Sequence, residues 1–353
     1  MRPRKKTRTS EDRWDSDYLA MKEKFEENSF ALTRRDRFFT LGNEEFHGHK
    51  VIIPNPYTCT KFLTVHAGLR YGLNNEKSFI DTWIHDPTKR TFNDIGFDPT
   101  NTWKNIYNLW RGYRNENRQP QIPVSDETVA KNMAAAPVIR HITEVITDGN
   151  EEHAGYFLDW LANIVQRPHQ RTRAAILIYG ESGVGKDIIP DWFRTSVLGP
   201  EHTFQTKRLE RDLFSRYAHG LVNTTFVHVN ELRLLDHEAG SLRNCITADT
   251  VHWETNDEDR TTWKAYANLL LTTNNEDTLQ KLSKEWRFVV FKCNPKYKGN
   301  TDYFQKLRDH LSSPDVDLWF YRFLKDRDIS AYDHKYAFQS HIDTKSGFQS
   351  IVF

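Results

Sequence analysis

Residues 180–186 read Gly-Glu-Ser-Gly-Val-Gly-Lys and follow directly on the apolar run Ala174–Tyr179. The run predicts a short buried strand, and a helix is predicted after the lysine. Between a strand and a helix, three glycines in seven residues allow a loop whose backbone N–H groups all turn inward. Such a loop holds phosphate, because the N–H groups donate to it and the following helix adds positive potential at its N-terminus. The spacing is that of the GxxxxGK pattern in its proper context. The predicted contacts to ATP are therefore Gly180, Glu181, Ser182, Gly183, Val184, Gly185, Lys186, Asp187 and Ile188. Lys186 supplies a mobile charge for the β- and γ-phosphates.

Position 187 departs from the pattern, which has a Ser or Thr hydroxyl there to ligate Mg²⁺. Asp187 has two readings: a helix cap, for which Asp is well suited, or a carboxylate placed beside the metal. A second apolar run, Thr225–Val229, ends in Asn230-Glu231, the position at which carboxylates hold Mg²⁺ and polarise the attacking water. Its first polar residue is an amide, so Glu231 is the predicted catalytic base and, with Asp187, a predicted metal ligand. The two departures together suggest that the metal-side carboxylate has moved from the strand end to the loop. A third run, Leu269–Thr273, ends in Asn274, placed to sense the γ-phosphate. Arg287 precedes a fourth run, Phe288–Phe291; there it is either a finger reaching a neighbouring subunit's nucleotide or a surface ion-pair partner.

Four short apolar runs separated by polar or helical stretches predict an α/β domain with a largely parallel sheet. Helical stripes precede it: Val138, Ile139, Ile142, Val145 and Ile146, then Tyr156, Phe157, Trp160, Leu161, Ile164 and Val165. These are read as core, with no cofactor. Helices are predicted again at Tyr303–Leu311 and Leu318–Leu324. The predicted organisation is a charged tail (1–35), a small mixed α/β unit (36–120), a helical subdomain (121–170), the P-loop core (171–295), C-terminal helices (296–335) and a tail (336–353). With ten Trp, fourteen Tyr and 22 Phe, a packed core is expected. No run approaches the ~18–20 apolar residues that span a membrane. Cys59, Cys245 and Cys293 are scattered and odd in number, which points to a reducing, intracellular compartment without a zinc site. Net charge is +1; the one basic run, Arg2 to Arg8, is a solvated tail, a nucleic-acid contact or an import signal. Asp15-Ser16-Asp17 has the DxD form of metal-dependent polymerases but stands alone.

The order of glycine loop, Asn-Glu strand, connecting hairpin, Thr-Thr-Asn strand and Trp286-Arg287 resembles that of superfamily 3 helicases. In particular it is similar to the helicase module of poxvirus-type primase–helicases and phage primase–polymerases. Phe79–Pro99 with Tyr107–Gly112, and Phe320–Ser330, extend the resemblance over roughly residues 36–335. It implies an AAA+-like P-loop fold, a homo-hexameric ring, and ATP- and Mg²⁺-driven 3′→5′ movement on single-stranded DNA in viral or phage replication. No primase is evident in the sequence; if priming occurs, another chain, a separate primase or polymerase, or a missing upstream domain is expected to supply it. The resemblance also implies a DNA-contacting hairpin, here Ile246–Ala267. In it Arg260 and Lys264 are candidate phosphate contacts and Trp263 a candidate base-stacking residue. Asn256 stands where a Lys is common, and Asp257, Glu258 and Asp259 are expected to face away from DNA. The same nucleotide site would also serve a packaging or protein-remodelling ATPase, or a ring that loads on DNA with little turnover.

Overall fold

The computed structural model describes residues 10–33, 37–46, 49–215, 219–255, 258–332, 340–341 and 349–350. They form two units, residues 1–96 with 102–109 and residues 97–101 with 110–353.

In the first unit a helix over Ser10–Glu26 precedes a four-stranded sheet. Its strands Ser29–Leu32, Arg37–Phe46 and His49–Tyr57 run antiparallel, and Thr91–Phe92 joins the first of them in parallel. The core is aromatic: Phe38, Phe62, Tyr71, Phe79 and Trp83 are buried together, with Tyr18 and Phe25 of the first helix packed against them. Lys22 pairs with Asp86 at 2.8 Å, and the Tyr18 hydroxyl donates to the same carboxylate at 2.7 Å. A carboxylate so poorly hydrated is kept ionised by those donors, which hold Asp86 well below the usual carboxylate range against the opposing effect of its burial.

The second unit opens with helices α1 (Glu127–His141) and α2 (Glu151–Gln166). Asp126 caps α1, accepting from Thr128 N at 2.8 Å, and Asn150 caps α2, accepting from His153 N at 3.0 Å. α1 runs on into a wider π-helical turn, Ile142–Ile146. Val138, Ile142, Val145 and Ile146, and in α2 Phe157, Trp160, Leu161, Ile164 and Val165, are buried as the stripes predict.

Then follow β1 (Ala175–Tyr179), α3 (Ile188–Trp192), β2 (Thr203–Thr206), β3 (Phe226–Val229) and α4 (Glu238–Thr247). The hairpin β4 (Thr250–Thr255) and β5 (Glu258–Lys264) leads to β6 (Asn268–Thr273), α5 (Glu276–Leu282) and β7 (Phe288–Lys292). α6 (Thr301–Leu311) and α7 (Val316–Asp326) close the unit. The sheet has five parallel strands in the order β2-β3-β6-β1-β7. Four of them are the predicted apolar runs, and the fifth, β2, is an edge strand that the sequence pattern does not reveal.

Side chains alternate between the two faces of a strand. One face carries Ala175, Leu177, Val227, Val229, Leu269, Leu271, Phe288 and Val290, packed with Leu242 and Ile246 of α4 and Leu279 and Leu282 of α5. The other carries Phe226 and Phe291, against which Trp160, Phe157 and Phe193 pack. His228 and Thr272 point to this second face by the same alternation, and both are wholly buried. No helix among the described residues is long and apolar enough to cross a membrane.

Candidate active site

In an open parallel sheet the strand C-terminal ends leave a crevice where ligands sit. Here β1 lies between β6 and β7, and β3 lies beyond β6. The glycine loop, Asn230-Glu231 and Asn274 therefore all leave the sheet at the same edge. Gly180 N donates to Thr273 O at 3.0 Å, which ties the loop's start to the end of β6.

The loop's shape follows from its glycines. Gly183 and Gly185 have φ of +83° and +94°, in the region that costs an L side chain strain. A Cβ on Gly185 would stand 2.6 Å from Phe304 Cε1 and 3.0 Å from His141 Cε1. Among the described residues, backbone hydrogen bonds are donated by Gly180 N at the start and by Ile188 N, to Gly185 O at 3.3 Å, at the end. Between them the chain turns at Ser182-Gly183, with Glu181 to Gly183 exposed and Val184 to Asp187 buried or half-buried.

Asp187 occupies the N-cap position of α3, yet its side chain makes no capping hydrogen bond. Its backbone is helical, whereas a capping residue is usually extended. The capping reading is thus set aside. The carboxylate turns instead to the sheet: Thr272 Oγ1 donates to Oδ1 at 2.5 Å, and Lys186 Nζ lies 3.4 Å from Oδ2. Thr272 Oγ1 is also 3.4 Å from Asn230 Oδ1, so three oxygens from three elements meet. The helix itself is short, five residues, and continues as a π-helical segment over Phe193–Leu198.

His228 sits below this group. Its Nδ1 donates to Asp191 Oδ1 at 2.8 Å, and its Nε2 lies 3.4 Å from Thr272 Oγ1 and 3.8 Å from Asp187 Oδ1. Gln205 of β2 donates to the same Asp191 oxygen at 2.6 Å. Asp187 and Asp191 are one helical turn apart, so a single buried imidazole spans both.

Glu231 takes a left-handed conformation, φ +54°, and its carboxylate is exposed and paired with Lys207 Nζ at 2.5 Å. Lys207 holds its carboxyl below the usual carboxylate range, with smaller help from Lys186 and Arg233. Asn274 is exposed one residue beyond the Thr273 carbonyl that receives Gly180 N. Arg287 stands apart. It precedes β7 at the strand-starting edge, where it pairs with Glu285 at 3.1 Å and lies over the Trp286 ring at 4.5 Å. The length of a five-residue strand, roughly 16 Å, separates that edge from the loop.

The hairpin forms between β3 and β6 as the resemblance implies, with Val251 opposite Trp263 and Thr250 opposite Lys264. Trp263 is half-buried, while Lys264 is exposed with Nζ 5.2 Å from the Tyr266 ring centre. Asn256, Asp257 and the side chains of Glu258, Asp259 and Arg260 lie outside the described residues, as do Arg2 to Arg8. The hairpin root is held by Arg171, which donates to the carbonyls of Cys245 at 2.6 Å and Ala267 at 3.0 Å and also to that of Ala248.

Residues 178–287, the stretch from the end of β1 to the start of β7, match a family of unknown function, DUF5906. None of the curated proteins matches the sequence. Among solved structures the chain is similar to the C-terminal region of NrS-1. An A-form apo structure of that region is 17% identical with a TM-score of 0.57, covering 89% of this chain and 69% of that one. An apo structure of its residues 305–718 is 16% identical with a TM-score of 0.54, covering 90% of this chain and 72% of that one. The likeness is one of fold and takes in nearly the whole chain.

Sequence reading missed Thr272, His228, Asp191, Lys207 and His141. Two of these left a trace: a histidine inside the apolar run Thr225–Val229, and a second aspartate four residues after Asp187. A polar side chain in a buried strand must find a partner, and here the partner is the loop helix.

Proposed function

We propose that this chain is a P-loop ATP hydrolase and the motor of a DNA helicase of superfamily 3 type, working as a ring in viral or phage replication. One observation carries the reading: a strand-to-helix loop turned by Gly183 and Gly185 at positive φ, closed by Lys186 and set beside Asp187, Asn230 and Glu231. A row of inward N–H groups with a lysine suits a triphosphate, and hard oxygen donors suit Mg²⁺. The sequence resemblance to superfamily 3 helicases, the strand order and the likeness to the NrS-1 C-terminal region support the same reading.

In this reading Lys186 and the loop bind the β- and γ-phosphates, and Asn274 contacts the γ-phosphate. Glu231 orients the attacking water and takes its proton as the γ-phosphoryl is transferred. Asp187 and Glu231, with the Asn230 amide oxygen, hold Mg²⁺, which neutralises phosphate charge when bound. Arg287 lies too far from its own loop to act there; it is a finger for a neighbouring subunit's nucleotide or, as its pair with Glu285 favours, a surface ion-pair partner. Lys264, Trp263 and Arg260 contact single-stranded DNA. A second reading, a ring that holds nucleotide with little turnover, is favoured by the Lys207–Glu231 pair, which occupies the carboxylate a water would need.

The test is ATP hydrolysis with and without single-stranded DNA, with Lys186→Ala as the blank. DNA stimulation that disappears in the variant is the expected result. Hydrolysis indifferent to DNA would replace the helicase with a packaging or remodelling motor, and ATP binding without hydrolysis would favour the second reading.

Asp187 carries its own prediction. Asp187→Ser removes the carboxylate that takes the place of the usual strand-end aspartate. It should raise the Mg²⁺ concentration giving half-maximal hydrolysis about tenfold, the equivalent of one lost charged ligand contact. Asn230→Asp in the same chain should recover part of that loss. An unchanged Mg²⁺ titration for Asp187→Ser would remove Asp187 from the metal site.

A further inference from the structure

His141 is wholly buried at the end of α1, 44 residues before the loop it touches. Its Nε2 lies 3.1 Å from Gly185 O and its Nδ1 2.9 Å from the Tyr303 hydroxyl of α6. A carbonyl oxygen only accepts, so Nε2 carries the hydrogen. Burial pushes the imidazole down to about 4, so the ring is neutral near pH 7 and Nδ1 is bare. The Tyr303 hydroxyl then donates to Nδ1, and both ring nitrogens are matched in one tautomer.

That tautomer has a consequence for the loop. In a planar trans peptide the C=O and the next N–H point in opposite directions. With the Gly185 carbonyl drawn to His141, the Lys186 N–H is turned away from α1. Among the described residues Lys186 N has no backbone acceptor. A Cβ at position 185 would meet both Phe304 and His141, so the position admits only glycine. Ile188 N also donates to the Gly185 carbonyl, at 3.3 Å, so His141 adds a side-chain donor from a distant helix to a backbone one.

We propose that His141 is a positioning residue for the nucleotide: by donating to Gly185 O it sets the Gly185–Lys186 peptide so that its N–H faces the phosphates. The proposal rests on the nucleotide-binding reading above. Its action is on binding, because the loop grips the phosphates equally before and during transfer.

Two amides separate this role from simple core filling. A glutamine at position 141 can place its amide N–H where Nε2 was, keeping the bond to Gly185. An asparagine reaches only as far as Nδ1, keeping Tyr303 and abandoning Gly185. Equilibrium binding of a fluorescent ADP analogue, melting temperature, and KM and kcat for ATP would be measured for His141→Gln, His141→Asn and the unaltered chain. The expected result is a Kd for His141→Gln within about threefold of the unaltered chain, and for His141→Asn about tenfold weaker, the worth of one buried hydrogen bond to the loop. KM should follow Kd while kcat changes little. Equal affinities for the two amide variants would overturn the proposal, as would a loss that tracks melting temperature alone. If the unaltered chain binds no nucleotide, the functional reading itself falls and the proposal with it.

Discussion

Glu231→Gln is expected to keep its ATP affinity at saturating Mg²⁺, to need about tenfold more Mg²⁺, and to hydrolyse ATP roughly 100-fold or more slowly, in line with the loss of a general base. The substitution is nearly isosteric, and the side chain is exposed with Lys207 as its hydrogen-bonding partner, so folding should not suffer. What changes is the ability to take a proton from water. Lys207 sharpens the expectation. As it stands the carboxylate is directed to that ammonium, with Lys186 a more distant influence, so hydrolysis requires Glu231 to change partners. Single-turnover hydrolysis beside equilibrium nucleotide binding would check it. A Glu231→Gln rate within a fewfold of the original at saturating Mg²⁺ would move the base elsewhere and leave Glu231 as a metal ligand alone.

Lys186→Ala should be as severe and of a different kind, with ATP affinity reduced at least tenfold and hydrolysis at least about 100-fold, since lysine meets the phosphates in both ground and transition states. Lys186 is only 5% exposed, which for a lysine usually means a close partner. Among the described residues its one ion pair is with the neighbouring Asp187 at 3.4 Å. A burial so thinly compensated suits a residue held for a ligand, and its removal should leave the melting temperature within a few degrees. Retained affinity in Lys186→Ala would remove the loop from the nucleotide site.

The two outcomes rest on residues that could be read from the sequence, and the reason is local. Lys186, Asp187 and Glu231 follow apolar runs directly, so a strand end could be placed and a chemical role attached to the next residue. The strands β1, β3, β6 and β7 were legible because strands buried on both faces are almost continuously apolar. β2 was not: Thr203-Phe-Gln-Thr is an edge strand whose Gln205 is given over to Asp191. The π-helical turns at 142–146 and 193–198 have no pattern of their own. His228, Thr272 and His141 could not be assigned, because their meaning lies in which face or which distant loop they meet. His141 sits within a stripe that is correctly core; only the fold shows that the core there includes the Gly185 carbonyl. Arg287 was legible as a basic residue before a strand, but that strand's start is far from the loop, a fact of strand direction that spacing does not contain.

The Arg171 grip on three carbonyls makes the hairpin a detachable part. Beside it, Ala265 N donates to Asp249 O at 2.9 Å, so the two chain ends that flank residues 250–264 already touch. The fifteen residues between them could be excised and the gap closed by a short glycine link, with Arg171 still bound to Cys245, Ala248 and Ala267. The strand pairings of the five-stranded sheet and the glycine loop would be untouched, and the sheet core would lose the packing of Val251. Under the proposed function such a chain would be a motor without its grip, and its ATP turnover would show how much of the cycle runs uncoupled from DNA.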